Sequence, residues 1–388
     1  MEPPLLARLE AYRPAPPSIL GQIQGFLTGW ENERLRLIGR GSAANAVPRT
    51  LIPAAGRRET VRLALTGTPS GYPGYVLDGS STELVPRRAR GLVYVLRRSV
   101  QLLAAGRTER RNEVWYSATN GGSSLWEDRE ECFRSVDDAA RLFGVPRCRL
   151  GFTCFPRAVA AGALYLRRVD GAGAPATPWR SAIDFTLPVD DGFFLGGYQW
   201  AADAVAVVVV EKECALDQIE DLCREKRWIL VSGGGYPTCA AHMLVHMLST
   251  KFSLDVYVLT DFGPDGAAIV LQYLLGSYAS AHETSHFTAR VKWLGLRASQ
   301  AQAANIPARY WKALTDRDRS TCESLLATDF VRSRPAWATE IRTLLDRGSK
   351  CELEDIYHIL PRPGSPATTC AAQTLVDFIA HEMRNALG

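Results

Sequence analysis

Several residues in this 388-residue chain have types and spacings suited to chemistry. Two acids, Glu211 and Asp261, directly follow the apolar runs Ala204–Val210 and Asp255–Thr260, which read as strands. Acids at the carboxyl ends of parallel strands lie where open α/β sheets take up ligands, and paired carboxylates suit a hard cation such as Mg²⁺. Asp265, at the start of the next helical pattern, is a third candidate; each acid also fits as a simple helix cap. The segment Ser232-Gly233-Gly234-Gly235-Tyr236-Pro237 lets backbone approach a phosphate, yet it is neither a Walker loop nor a dinucleotide fingerprint. Tyr116 closes the stretch Arg110-Arg111-Asn112-Glu113-Val114-Trp115-Tyr116. A phenol with a pKa near 10 is a poor nucleophile at neutral pH, and a metal or arginine beside it would make it competent toward a phosphate. The plainer role for such a tyrosine is in a helix-packing layer. His282-Glu283-Thr284-Ser285-His286 fits the HExxH pattern of zinc peptidases, but it falls between Gly276 and Val291, where the pattern predicts a connection rather than the long helix that chemistry needs.

The elements that must hold these residues divide the chain in two. Ser18 caps a helical stripe of Ile19, Ile23, Phe26 and Leu27, which must be covered either by its own domain or by a partner. Residues 41–85 read as strands and loops. Leu92, Leu96, Val100 and Leu103 form one face of a helix ended by Gly106, with Arg90, Arg97 and Arg98 off that stripe. Thr108 is expected to cap a second helix through Tyr116, and Ser135 a third that Gly144 breaks. A short element with Arg147 and Arg149 follows, so helix, glycine turn and helix give a helix-turn-helix, with Ala163–Leu166 as its wing strand. Residues 169–182 read as a linker. The remainder alternates strand and helix in the order expected of a parallel, doubly wound sheet. The expected domains are 1–40, 41–182 and 183–388.

Charge follows the same division. The net +4 hides a basic first part: residues 1–150 hold 22 Arg, no Lys and 15 acids, and the first lysine is Lys212. A basic half on a near-neutral chain suits a polyanion, so Arg90, Arg97, Arg98, Arg110, Arg147 and Arg149 are the candidate DNA contacts. Hydrophobic content of 46% and charged content of 22% exclude a disordered or fibrous chain. No apolar run approaches the roughly 20 residues of a membrane span, so no membrane partner is expected. Nine scattered cysteines without a CxxC pair read as free thiols of a reducing compartment, and nothing in the first residues suggests secretion.

From about residue 90 to 355 the chain resembles the A subunit of topoisomerase VI, and in particular its eukaryotic relatives that make meiotic DNA double-strand breaks. The resemblance is carried by Glu113-Val114-Trp115-Tyr116, Val136 to Arg147, Val208-Val209-Val210-Glu211-Lys212, Ile229 to Pro237, Asp261 to Gly266, Val291 to Leu296 and Leu314 to Arg319, in the family's order. It implies an α+β multi-domain fold: a winged-helix, CAP-like DNA-binding domain, then an α/β Toprim domain. It implies that Tyr116 attacks a phosphodiester of double-stranded DNA, releases a 3′-hydroxyl and stays joined to the 5′ end, with Arg111 assisting. It further implies Mg²⁺ on Glu211 and Asp261, a homodimer that sets one tyrosine beside the metal of the other copy, and a nuclear, chromosome-associated location. A topoisomerase VI B-like subunit would dock near Ile19, Ile23, Phe26 and Leu27. Three departures stand out. The family's Asp-x-Asp reads Asp261-Phe262-Gly263, leaving Asp265 as the replacement acid; its arginine before the tyrosine is Asn112; its charged glycine-loop positions are Gly234 and Thr238. The alternatives are a topoisomerase VI A subunit that reseals its breaks and a catalytically weakened DNA-binding relative.

Overall fold

The computed structural model describes residues 7–9, 19–28, 51–53, 74–76, 87–119, 125–153, 158–168, 175, 180–181, 187–189, 198–277, 280–284, 287–303, 306–353 and 371–388. The helical part is built on one core. Residues 19–28 form α1, Arg87–Ala104 form α2, Arg111–Thr119 form α3 and Arg129–Phe143 form α4. The stripe of α1 is covered by this same part: Ile23 is fully buried with Leu92, Leu96 and Val136, and Phe26 meets Phe143 edge-on at 6.0 Å. Gly91 is required where α2 passes Trp126, because a Cβ there would lie 2.3 Å from the indole nitrogen. That nitrogen donates to Ser135 Oγ at 2.8 Å.

Two expected helix starts move. Glu109–Arg110 pair in parallel with Phe152–Thr153, so α3 begins at Arg111, beyond Thr108. Asp128, whose side chain accepts from the Glu131 amide, caps α4, and Ser135 lies buried inside that helix. The expected recognition element is one 3-10 turn, Arg147–Leu150, entered from Pro146 and closed by Gly151 with φ +87°. Val61–Leu65 lies outside the described residues; Leu51–Pro53 and Gly74–Val76 pair antiparallel.

The second part contains Ala158–Gly162 (β1), Leu164–Arg168 (β2), Leu187–Val189 (β3), Tyr198–Ala202 (β4), Ala206–Val210 (β5), Trp228–Ser232 (β6), Asp255–Leu259 (β7) and Val291–Gly295 (β8). Six of these form one sheet in the order β8-β7-β5-β6-β1-β3. The four strands β8, β7, β5 and β6 are parallel, as expected; β1 and β3 extend the sheet antiparallel. Val207 to Val210 are at most 2% exposed, the signature of a strand covered on both faces. Helices Glu213–Glu225 (α5), Cys239–Thr250 (α6) and Pro264–Leu275 (α7) connect the parallel strands.

The strand expected as the wing lies outside the six-stranded sheet. β2, which begins one residue after Ala163 and takes in Leu164 to Leu166, pairs with β4 and with Arg180–Ser181 in a separate four-stranded antiparallel sheet. Gly162, at φ +86° and with Trp228 O only 2.2 Å from where its Cβ would lie, makes the sharp turn from β1 to β2. One continuous segment thus serves both sheets, and the division expected at residue 182 cuts through them.

The two parts are joined by a buried ion pair. Arg147 Nη1 lies 2.5 Å from Glu283 Oε2, and the Arg147 amide donates to Glu283 Oε1 at 3.0 Å. Their side chains are 9% and 1% exposed. Among the described residues no helix is long and apolar enough to cross a membrane. Removing one member of such a pair leaves the other charged and unpaired, which costs about 3–5 kcal/mol. Thermal and denaturant melts of Glu283→Ala should show a loss of that size. A loss below about 1 kcal/mol would put the pair in the class of surface salt bridges.

Candidate active site

Helix α3 turns Tyr116 outward. Val114 and Ala118, one turn apart, are buried in the helical core, so the residue midway between them faces solvent. Tyr116 is 50% exposed. Asn112, one turn earlier, shares its face, and the Glu113 carboxylate accepts from the Arg110 amide at 2.7 Å to close the helix start. Arg111 leads away from the tyrosine: its guanidinium lies over Phe133 at 4.5 Å and reaches Asp137 at 3.5 Å. The guanidinium over the Tyr116 ring is that of Arg129, 5.9 Å from its centroid. The sequence carried no signal for Arg129, because α4 was expected to begin six residues later.

The acid cluster forms at the carboxyl end of the parallel strands, as expected. β5 and β7 are neighbours with Val210 opposite Leu259, which brings the residues after them together. Glu211 Oε2 accepts from the Asp261 amide at 2.9 Å. Burial first, and then the Asp261 carboxylate beside it, push the Glu211 carboxyl up to about 7. Asp261 is held on both oxygens: Oδ1 accepts from the Leu353 amide at 2.8 Å, and Oδ2 lies 3.2 Å from Lys212 Nζ. Asp265 accepts from the Tyr236 hydroxyl at 2.6 Å, and its charge also raises Glu211. The glycine segment folds back on the strand end, with the Gly235 amide donating to the Glu211 carbonyl at 2.8 Å. Gly234 and Gly235 have φ of +67° and +100°, conformations that side chains rarely adopt.

Hard oxygen donors with a raised carboxyl fit a divalent cation, and Mg²⁺ characteristically takes one or two carboxylates and completes its shell with water and phosphate. Glu211 and Asp261 are the residues that would hold it. Among the described residues no group of three or more His, Cys, Asp or Glu side chains is gathered as a metal site, although Asp265 lies near enough for its charge to raise Glu211. Gly263 leaves room for a further acid. Its φ is −173°, ordinary extended backbone, and a Cβ there would meet only Lys350 atoms at 3.6 and 3.7 Å.

A cleft of about 380 Å³ separates the two parts, walled by Arg110, Arg111 and Asn112 on one side and Pro237, Thr238 and Cys239 on the other. The expected DNA-contacting arginines divide accordingly. Arg90 and Arg97 are exposed on α2, seven residues apart and so on one face. Arg110 lines the cleft. Arg98 pairs with the buried Glu109 at 2.5 Å, and Arg149 is half-buried near Lys251. Arg147 is corrected outright, since it is engaged by Glu283. The same pair accounts for the HExxH match. Glu283 belongs to a four-residue turn, Ala281–Thr284, and its carboxylate is already engaged. Ile23, expected to meet a partner, is sealed in its own core, and the outer positions of α1 are Gly21, Gln22, Gln24, Gly25 and Thr28.

Residues 206–362 match the family model of the TOP6A-Spo11 Toprim domain, the Toprim domain shared by the A-type subunit of topoisomerase 6 and Spo11. The chain is 26% identical to Meiotic recombination protein SPO11-2 of Oryza sativa subsp. indica, over 68% of each chain. It is 26% identical to Meiotic recombination protein SPO11 of Mus musculus, over 68% of this chain and 65% of that protein. It is 24% identical to the A3 subunit of DNA topoisomerase 6 from the same rice, over 76% of this chain and 64% of that protein.

Two outcomes follow for the acids. A ligating carboxylate must lose its proton, so with Glu211 near 7 the ionised fraction, and with it Mg²⁺ affinity, should rise about tenfold from pH 6 to pH 8. Calorimetric titration at the two pH values measures this, and a flat profile would remove Glu211 from the ligand set. Gly263→Asp should tighten Mg²⁺ binding by about tenfold or more without loss of fold, because the position accepts a side chain and supplies another charged oxygen ligand.

Proposed function

We propose, from residues 206–362 as a Toprim domain of the topoisomerase 6/Spo11 type, that this protein cleaves double-stranded DNA by tyrosine transesterification and thereby forms meiotic double-strand breaks that start recombination. The observation that carries the reading is Tyr116. An apolar-faced helix presents its ring to solvent beside a guanidinium, on the same helical part whose arginines Arg90 and Arg97 are exposed. In the proposed step the Tyr116 oxygen attacks a backbone phosphorus while its proton leaves to water. The bond from phosphorus to the 3′ oxygen breaks, that oxygen takes up a proton from water and leaves as a 3′-hydroxyl, and the 5′ phosphate remains as a phosphotyrosyl ester. No bond energy is lost overall, because one phosphodiester replaces another.

The chain's own groups have separate tasks. Arg90, Arg97 and Arg110 neutralise backbone phosphates, and Arg129 steadies negative charge at the phenolic oxygen and the attacked phosphate. Glu211 and Asp261 hold Mg²⁺, which when bound supplies a Lewis acid for the phosphate and leaving oxygens. A homodimer that brings each tyrosine to the acids of the other copy makes two nicks into one break, and its exposed ring suits that arrangement. The site of action is the chromosome in the nucleus. Resealing with an ATP-hydrolysing B-like subunit is the second reading, favoured by the similarity to a topoisomerase 6 subunit.

The test recovers protein-linked DNA 5′ ends from a reconstituted complex. Wild type should give adducts and Tyr116→Phe none; equal yields would remove Tyr116 from the mechanism. Arg129→Ala should lower the adduct rate by about tenfold or more while leaving duplex affinity within a few-fold.

A further inference from the structure

Glu211 and Asp261 are adjacent acids whose mutual repulsion must be offset in the absence of a divalent ion. The cation nearest to hand belongs to the chain. Lys212 Nζ stands 3.2 Å from Asp261 Oδ2 and 3.4 Å from Glu352 Oε2, so one ammonium spans two carboxylates. The other oxygen of Asp261 is already taken by the Leu353 amide. Any ion that approaches Asp261 therefore meets a carboxylate with both oxygens in use. Glu352 is 43% exposed and is further paired with Lys312, so it stands as a second carboxylate outside the sheet, within reach of the lysine's flexible stem. The segment that carries it is fixed in place. Phe262 and Cys351 bridge in antiparallel fashion, and Leu353 binds Asp261, so residues 351–353 lie against the acid site itself.

We propose that Lys212 is a resident counter-ion of the acid site, competing with the divalent cation for Asp261, and that Glu352 is the berth to which its ammonium withdraws when the cation enters. The inference rests on the assignment of Glu211 and Asp261 as the Mg²⁺ ligands, but not on Tyr116 or on DNA cleavage. It gives the missing carboxylate at Gly263 a counterpart: one ammonium offsets one of the two acid charges without metal, where a third acid would leave more charge unbalanced. Lys212 is a positioning residue in this account, since it acts through Asp261. Neither residue has to touch the reacting atoms.

The experiment is a calorimetric double-mutant cycle on the full chain, with Mg²⁺ as titrant and Mn²⁺ as a second probe. Lys212→Met should tighten divalent binding about twofold to fivefold, the range of a partly exposed ion pair. Its metal-free melting temperature should fall and recover when Mg²⁺ is added. Glu352→Gln should weaken divalent binding, because the lysine then has Asp261 alone. In the Lys212→Met background Glu352→Gln should have no effect, since the berth matters only while the lysine is present. Unchanged or weaker binding in Lys212→Met would overturn the proposal. So would a Glu352→Gln effect of equal size in both backgrounds, which would make Glu352 a direct ligand. Failure of DNA adduct formation at Tyr116 would leave these outcomes as they are, so the two readings fail separately.

Discussion

The structure is governed by the repulsion of two carboxylates that the sheet sets side by side. Parallel pairing of β5 with β7 fixes Val210 opposite Leu259, and the residues that follow are Glu211 and, two positions beyond its strand, Asp261. The backbone ladders on both sides fix where the two residues leave the sheet, so the carboxylates can part only by side-chain rotation. The surroundings respond with donors: the Asp261 amide on Glu211, the Leu353 amide and Lys212 on Asp261, and the Tyr236 hydroxyl on Asp265. The glycine segment and residues 351–353, far apart in sequence, are both drawn to this end of the sheet.

A second constraint joins the acids to the tyrosine helix. Arg147 and Glu283 are buried at the meeting of the helical part and the sheet part, and the carboxylate takes both a guanidinium and a backbone amide. That double engagement fixes orientation as well as distance. The cleft between Arg111 on α3 and Thr238 at the start of α6 is lined by the same two residues. Its width is thus tied to an interaction that cannot be lengthened gradually, since a buried charge without its partner is costly.

The sheet half was legible in the sequence because its signals are local. Short β-branched runs such as Val207–Val210 read as buried strands, and an acid directly after such a run is placed at a strand end by connectivity alone. The helical half was less legible. Ser135 has the spacing of a cap, yet the indole of Trp126 takes its hydroxyl in the core, and Asp128 caps the helix instead. The arginines at 147 and 98 looked like phosphate contacts, but their partners, Glu283 and Glu109, are 136 and 11 residues away, beyond any local pattern. Lys212 was seen only as part of a motif, because Glu352 lies 140 residues on and no periodicity links them.

In the proposed function, Gly263 bears on how metal and DNA would depend on each other. Two protein carboxylates leave most of an octahedral shell to water and to phosphate oxygens. A site short of protein ligands gains more from a substrate phosphate than a site already furnished with a third acid. Binding linkage is reciprocal, so whatever factor DNA adds to Mg²⁺ affinity, Mg²⁺ adds to DNA affinity. On the proposal made for Lys212, it and Gly263 would act in the same direction, one by occupying a ligand and the other by withholding one. In the proposed reading, the resting chain would hold its cation chiefly when a phosphate backbone is already in place, which would confine reaction at Tyr116 to the moment of engagement with DNA.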